Sequence, residues 1–306
     1  MSTSFQRHGL GILLATLCAS SYGPTADAAT PRTRLAVAFP KTYNRVETAM
    51  LYGGYLKRLA QCANVELVNL RGEPVSERFD ALDLLPESEL VTHMRTGRLQ
   101  LAQFFTGLVP AAIDEGQGEA FAVRGDTTSG RYGSYRLHLI VRADSSYLRP
   151  PDLTGTRIAH SSVRSNSGNL APRALFPAIG LVPERDYEVV YSGNHERSIV
   201  GTFYGFWKGA AVASDQFERM VRKGEIKPQD FRVLWASEPF PVEAMVMSRQ
   251  LAPDVQQRVR QCTYGYRFPA KASSLLDGAD GFVPIDAERA FAGVRLVLER
   301  TRASTR

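Results

Sequence analysis

Short apolar runs alternate with segments of helical spacing along almost the whole chain, and this alternation limits the fold more than any other feature. Arg34 to Phe39 reads as a buried strand closed by Pro40. Asn44 is placed to cap a helix in which Val46, Met50, Leu51, Tyr55 and Leu59 recur at helical spacing. Val65 to Leu70 is a second strand, Glu87 to Arg98 a helix, and Leu99 to Phe105 a third strand. Strand, helix, strand, helix, strand predicts an α/β lobe with a largely parallel sheet. The pattern resumes further on. Strands are expected at Thr156 to Ala159, Asp186 to Tyr191, Gly209 to Ala213 and Phe231 to Ala236, with helices between them.

Between the two halves lie extended runs that read as crossings, Tyr135 to Val141 outward and Glu243 to Met247 on return. The expected organisation is therefore α/β and bilobal, with residues 29–138 and 241–306 in lobe I and residues 139–240 in lobe II. Two crossings make a hinge with a ligand in the cleft.

Ligands of such sheets sit beyond the carboxyl ends of the strands. In the second half each of these ends carries a polar cluster: Ser165 to Gly168, Asn194-His195 and Ser214-Asp215. In the first half Tyr43 and Thr106 hold the matching positions, although a turn Tyr and a helix-capping Thr are the ordinary readings. The stretch from His160 to Leu175 stands out. A strand ending is followed by small hydroxyl and amide residues, and then by Leu170, Ala174, Leu175 and Ile179 on one helical face. Free N–H groups and the dipole at such a helix start suit a small anion, with Ser165, Asn166 and Ser167 adding donors. Gly168 marks a place where backbone comes close to something. An ordinary Ser/Asn-capped helix accounts for the same residues.

The N-terminus reads as a leader. Arg7 and His8 precede an apolar core from Leu10 to Ala19, and Ala26-Asp27-Ala28 offers a cleavage site, so residues 1–28 are expected to be removed on export to the periplasm. Leu17 before Cys18 disfavours a lipid anchor there. The apolar run is too short for a comfortable membrane span, and no later stretch is longer. Cleavage leaves Cys62 and Cys262, which an oxidising compartment would pair into a disulfide; two separate buried thiols are the alternative. The net charge of +6 is spread without a Lys/Arg run, which argues against nucleic acid as a partner.

Several stretches together resemble the phosphate/phosphite/phosphonate-binding proteins of ABC transporters. They are Asp152 to Ala159, Ser165-Asn166-Ser167-Gly168, Pro172 to Leu175, Ser192-Gly193-Asn194-His195-Glu196 and Ala211 to Asp215. The tail, with Cys262-Thr263-Tyr264, Arg267-Phe268-Pro269 and Gly278-Ala279-Asp280, is similar to one branch of that family. The resemblance implies a type 2 periplasmic binding fold and capture of a phosphorus oxyanion (phosphonate, phosphite or phosphate) for an inner-membrane ABC permease. It gives Ser165, Asn166, Ser167 and Gly168 the oxyanion grip, and His195 and Asp215 the later pocket positions. An Asp beside an anion suits a protonated oxyanion. Two departures stand out: Asn166 where the family often has a hydroxyl residue, and Phe104-Phe105-Thr106-Gly107 in place of the usual aromatic-Leu-Gly-Pro.

A sensor that hands its closed state to a histidine kinase would use the same fold. Arsenite, which favours thiolate, is not expected, since no Cys stands at the strand ends. His195, Glu196 and Asp215 can be drawn as a base with an orienting acid. However, the chain has no Gly-x-Ser-x-Gly, His-Glu-x-x-His, Cys-x-x-Cys or Gly-Lys-Ser/Thr motif. A monomeric binding protein without cofactor or metal is expected, not an enzyme.

Overall fold

The computed structural model describes residues 1–2, 32–41, 44–76 and 79–304. Residues 3–28 of the expected leader, with Cys18, and Tyr43 lie outside the described residues. The first half contains β1 (Thr33–Pro40), α1 (Arg45–Cys62), β2 (Val65–Val68), β3 (Asp83–Leu85), α2 (Glu87–Arg95), β4 (Leu101–Phe104), α3 (Val109–Asp114), β5 (Gly118–Asp126) and β6 (Arg131–Tyr132). β1 is buried from Leu35 to Pro40, as an unbroken apolar run in a sheet covered on both faces should be. α1 starts where Asn44 predicts. Asn44 Oδ1 accepts the Glu47 N–H (2.9 Å) while Glu47 Oε2 accepts the Asn44 N–H (3.2 Å), a reciprocal cap. Its buried face is Leu51, Tyr52, Tyr55, Leu56 and Leu59, whereas Val46 and Met50 are exposed. The apolar stripe is thus rotated from the expected one, and Met50 turns toward the interlobe cavity.

The chain then runs through β7 (Ser134–Tyr135), β8 (Leu137–Arg142), β9 (Arg157–His160), α4 (Ala171–Leu175), β10 (Glu188–Tyr191), α5 (His195–Phe203), β11 (Gly209–Ala213), α6 (Ser214–Arg222) and β12 (Phe231–Ala236). It returns through β13 (Phe240–Pro241) and β14 (Ala244–Ser248), followed by α7 (Pro253–Tyr264), α8 (Ala270–Leu275), β15 (Gly281–Pro284), α9 (Ala287–Ala290) and α10 (Ala292–Ser304).

The first sheet has the order β15-β5-β14-β4-β1-β2, with β3 on β1 and β6 on β5; the second has the order β10-β9-β11-β8-β12. β1 is parallel to β2, β3 and β4, and β9 is parallel to β10 and β11. The sheets are nevertheless mixed. β14 lies antiparallel between β4 and β5, and β8 lies antiparallel between β11 and β12. Both inserted strands enter directly from the other half of the chain. They lack the helical crossover that a parallel neighbour requires.

The two passages between sheets run side by side. β7 and β13 pair antiparallel, Tyr135 opposite Phe240 and Ser134 opposite Pro241. This ribbon lies where the hinge is expected. Cys62 at the end of α1 and Cys262 in α7 form a disulfide, with Cα atoms 5.8 Å apart. α10 touches both lobes: Arg295 pairs with Asp114 of α3 (2.6 Å), and Thr301 Oγ1 donates to Leu170 O (3.3 Å) just before α4.

Candidate functional site

The polar stretch after β9 is held by a buried network. His160, fully buried at the end of β9, has Nδ1 2.9 Å from Asn169 Oδ1 and Nε2 2.9 Å from Tyr187 Oη. An amide oxygen only accepts, so Nδ1 carries the proton and Nε2 accepts from Tyr187. Burial pushes the ring down to about 4, which keeps it neutral. Asn169 Oδ1 also accepts from Arg173 Nε (3.0 Å) and Tyr191 Oη (3.2 Å), and Asn169 Nδ2 donates to Val163 O (2.7 Å). One side chain thereby ties the loop from Ser161 to Ser165 to the strand behind it.

The helical start expected here exists, but its first turn is wide. Asn166–Leu170 forms a π-type turn, with the Asn169 and Leu170 N–H groups both donating to Ser165 O (3.0 Å each). Ser165 is the cap, its Oγ accepting from the Gly168 N–H (3.0 Å). Gly168 does not line the cavity. A Cβ on it would fall 1.7 Å from Ser161 Oγ, so its role is to let Ser161 pack beneath the turn. The close approach inferred for this glycine is to the protein itself.

His195 opens α5 behind its cap Asn194, whose Oδ1 accepts the Arg197 N–H (2.8 Å). His195 Nδ1 accepts the Ala213 N–H from β11 (3.3 Å), which leaves the proton on Nε2. Nε2 lies 3.4 Å from Ser165 Oγ and 3.5 Å from Ser167 Oγ, the long end of hydrogen bonding. Burial, and then Arg219, push this histidine down to about 4, so the ring is neutral and Nε2–H points at the serines. Asp215 stands in the first turn of α6, with Oδ2 accepting from Gln216 Nε2 (3.3 Å). Burial raises its carboxyl to about 6; Arg124 opposes the shift, while Asp277 and Glu243 add to it.

The first lobe supplies the facing wall. Thr106, after β4, donates from Oγ1 to Pro241 O in the hinge (2.7 Å). Tyr135, also in the hinge, accepts from Asn166 Nδ2 (3.0 Å), and burial pushes its hydroxyl up to about 12. Arg124 of β5 is buried and engaged by Glu243 (3.0 Å), Asp277 (3.3 Å) and Leu276 O (2.9 Å). Burial raises the Glu243 carboxyl, but Arg124, a backbone N–H and the Tyr52 hydroxyl together hold it below the usual range. Arg222 of α6 reaches across the cleft to the same Asp277, whose backbone is left-handed (φ 57°).

Thr106, Ser165, Asn166, Ser167, His195 and Asp215 thus line one interlobe cavity of about 530 Å³, together with Ser161, Ser162, Tyr135, Arg124 and Glu243. The last five were missed as site residues from sequence. A charged residue inside a buried strand, as Arg124 is in β5, is the signal that marks one of them. Three buried oxygens in this cavity, Ser161 Oγ, Asn166 Oδ1 and Asp215 Oδ1, have no hydrogen-bond partner in the protein. Buried polar atoms of this kind are normally satisfied, so the cavity fits a polar ligand. Its donors are hydroxyls, the amides of the first turn and a neutral imidazole, with Arg164, Arg219 and Lys223 also on the lining, a set that suits an oxyanion. Among the described residues no group of His, Cys, Asp and Glu is arranged to hold a metal ion, and no helix is long and apolar enough to cross a membrane.

A family described as the periplasmic substrate-binding protein of phosphonate ABC transporters matches residues 87–290. Solved structures share the fold. One is a binding-protein component of an ABC phosphonate transporter from Pseudomonas aeruginosa (TM-score 0.68, 17% identity, 90% of this chain and 88% of that one). Another is PhnD1 from Prochlorococcus marinus in complex with methylphosphonate (TM-score 0.68, 15% identity, 88% and 98%). A third is a Xanthomonas citri protein bound to chloride (TM-score 0.67, 17% identity, 89% and 99%). The architecture is therefore the bilobal α/β fold of type 2 periplasmic binding proteins.

Proposed function

Because this chain belongs to the family of periplasmic substrate-binding proteins of phosphonate ABC transporters, we propose that it captures a small phosphorus oxyanion between its lobes and delivers it to an inner-membrane permease. The oxyanion is a phosphonate, phosphite or phosphate. The observation that carries this reading is the His195 geometry. With Nδ1 occupied by the Ala213 N–H, a neutral ring aims Nε2–H at Ser165 and Ser167. Ser165 already accepts from Gly168, so its own proton is available to an oxygen of the ligand. The anion is met by dipoles and by the cations Arg164, Arg219 and Lys223 of the lining, whereas Arg124 is matched by Glu243 and Arg222 by Asp277.

In this reading the protein binds without catalysing, works as a monomer and loses its leader near Ala28. The lobes meet at the crossings near 138 and 240. Asp215 sets the charge preference of the site. Below its raised pKa of about 6 it is protonated and donates, and above it the carboxylate repels an anion.

Calorimetry of the leaderless protein against phosphate, phosphite, methylphosphonate, aminoethylphosphonate and sulfate tests the proposal. A phosphorus oxyanion should bind, weaken by about 10- to 100-fold in Ser167→Ala, and lose part of its pH dependence in Asp215→Asn. Absence of binding by every anion tested sinks the proposal.

A further inference from the structure

Asn166 presents an acceptor where an anion site is expected to present donors, because its amide nitrogen is already engaged within the protein. Asn166 Nδ2 donates to Tyr135 Oη (3.0 Å). Thr106 commits its only proton to Pro241 O (2.7 Å). Tyr135 Oη, accepting from the Asn166 amide, keeps its own proton for the Thr106 or Ser167 hydroxyl beside it. The amide oxygen Oδ1 is accordingly the atom left over. It is buried, on a residue only 6% exposed that lines the cavity, and nothing in the protein donates to it.

A serine hydroxyl at such a position can rotate to donate or to accept, whereas an amide oxygen can only accept. A ligand oxygen facing Asn166 Oδ1 must therefore bring the proton. Asp215 Oδ1, the second unpartnered acceptor of the cavity, makes the same demand whenever its carboxyl is ionised. We propose that Asn166 is a specificity determinant of the site, selecting an oxyanion that retains one acidic proton over a fully deprotonated or non-protonatable one of the same shape. This rests on the oxyanion reading above and deepens it. Monoanionic phosphonates and phosphite fit; sulfonates and phosphonate dianions set lone pair against lone pair. A site built around a buried acceptor rejects an analogue that lacks the matching donor, because the acceptor then stays unpaired.

Methylphosphonate and methanesulfonate make the test, since they share a shape and differ in the proton. Each is titrated into the leaderless protein across the second ionisation of methylphosphonate, in wild type, Asn166→Ser and Asn166→Thr. Asp215 is common to all three proteins, so differences between them report Asn166. For wild type we expect methanesulfonate to bind at least about 100-fold more weakly. Methylphosphonate affinity should fall by about tenfold per pH unit once the dianion dominates. The two hydroxyl variants should narrow the discrimination by about tenfold and flatten the pH profile. Wild-type affinity that holds or rises into the dianion range overturns the inference, as do hydroxyl variants with unchanged discrimination. Either result leaves the oxyanion reading standing. If neither ligand nor any other phosphorus oxyanion binds wild type at any pH, the oxyanion reading falls and this inference with it.

Discussion

Gly168→Ala is a substitution that backbone preference favours and packing forbids. Gly168 is not among the glycines with positive φ, so alanine fits the backbone, and helix propensity alone would favour it by about 1 kcal/mol. The space is already taken. The new Cβ would lie 1.7 Å from Ser161 Oγ, 2.7 Å from Ser161 Cβ and 2.7 Å from Ser165 Oγ. Rotating the Ser161 hydroxyl away leaves its Cβ still too close, so the backbone of the loop must retreat by roughly 1 Å to reach ordinary contact. Overpacking of this kind costs about 1–3 kcal/mol. The retreat also moves Ser161 and Ser165, the latter being the cap of the turn proposed to meet the anion. Urea unfolding of Gly168→Ala should show a lower midpoint with an unchanged slope and a net loss of about 2 kcal/mol. Calorimetry with the best phosphorus oxyanion should show binding at least about tenfold weaker. The double variant Gly168→Ala/Ser161→Gly removes both clashing Ser161 atoms. It should recover stability with a coupling energy of about 1 kcal/mol or more. An alanine variant as stable as wild type, or no coupling to Ser161→Gly, would refute the steric argument.

Two further outcomes follow from the charged groups around the cleft. The folded-state pKa of His160 is depressed to about 4 from an ordinary 6.5. The unfolded chain therefore binds the extra proton first, and stability should fall as pH drops from about 6.5 to 4, by roughly 3 kcal/mol. Urea unfolding at pH 7.5 and 4.5 should show a shallower pH dependence in His160→Gln, and equal slopes would remove His160 from the account. Arg222→Ala cuts the ion pair that joins α6 to Asp277 across the cleft. Because the arginine is half-exposed, the effect should be modest, about 1 kcal/mol or a fivefold faster release of bound oxyanion in stopped-flow. Arg222→Lys should restore most of it. Identical release rates in all three proteins would show that the pair does not hold the lobes together.

Local patterns account for most of what could be read directly. The β1 run from Leu35 to Phe39, the reciprocal cap at Asn44 and the polar clusters after β9, β10 and β11 each depend on neighbours a few residues away, and periodicity and side-chain type report such features. The bilobal α/β class follows from the same alternation. Pairings between distant parts of the chain lie beyond that reach. β14 enters the first sheet antiparallel and α10 touches both lobes, because a strand or helix packs wherever an apolar face is open, at any sequence distance. The buried Arg124–Glu243 pair joins β5 to the residue just before β14, far apart in the chain and brought together only by the sheet. Asn166 shows the division most sharply. Sequence places it beside an anion site and reads its amide as one more donor. Tertiary structure brings up Tyr135, which takes that donor and leaves the amide oxygen without a partner. Residue type lists what a side chain can offer, and only its partners decide which part of the offer is left for a ligand.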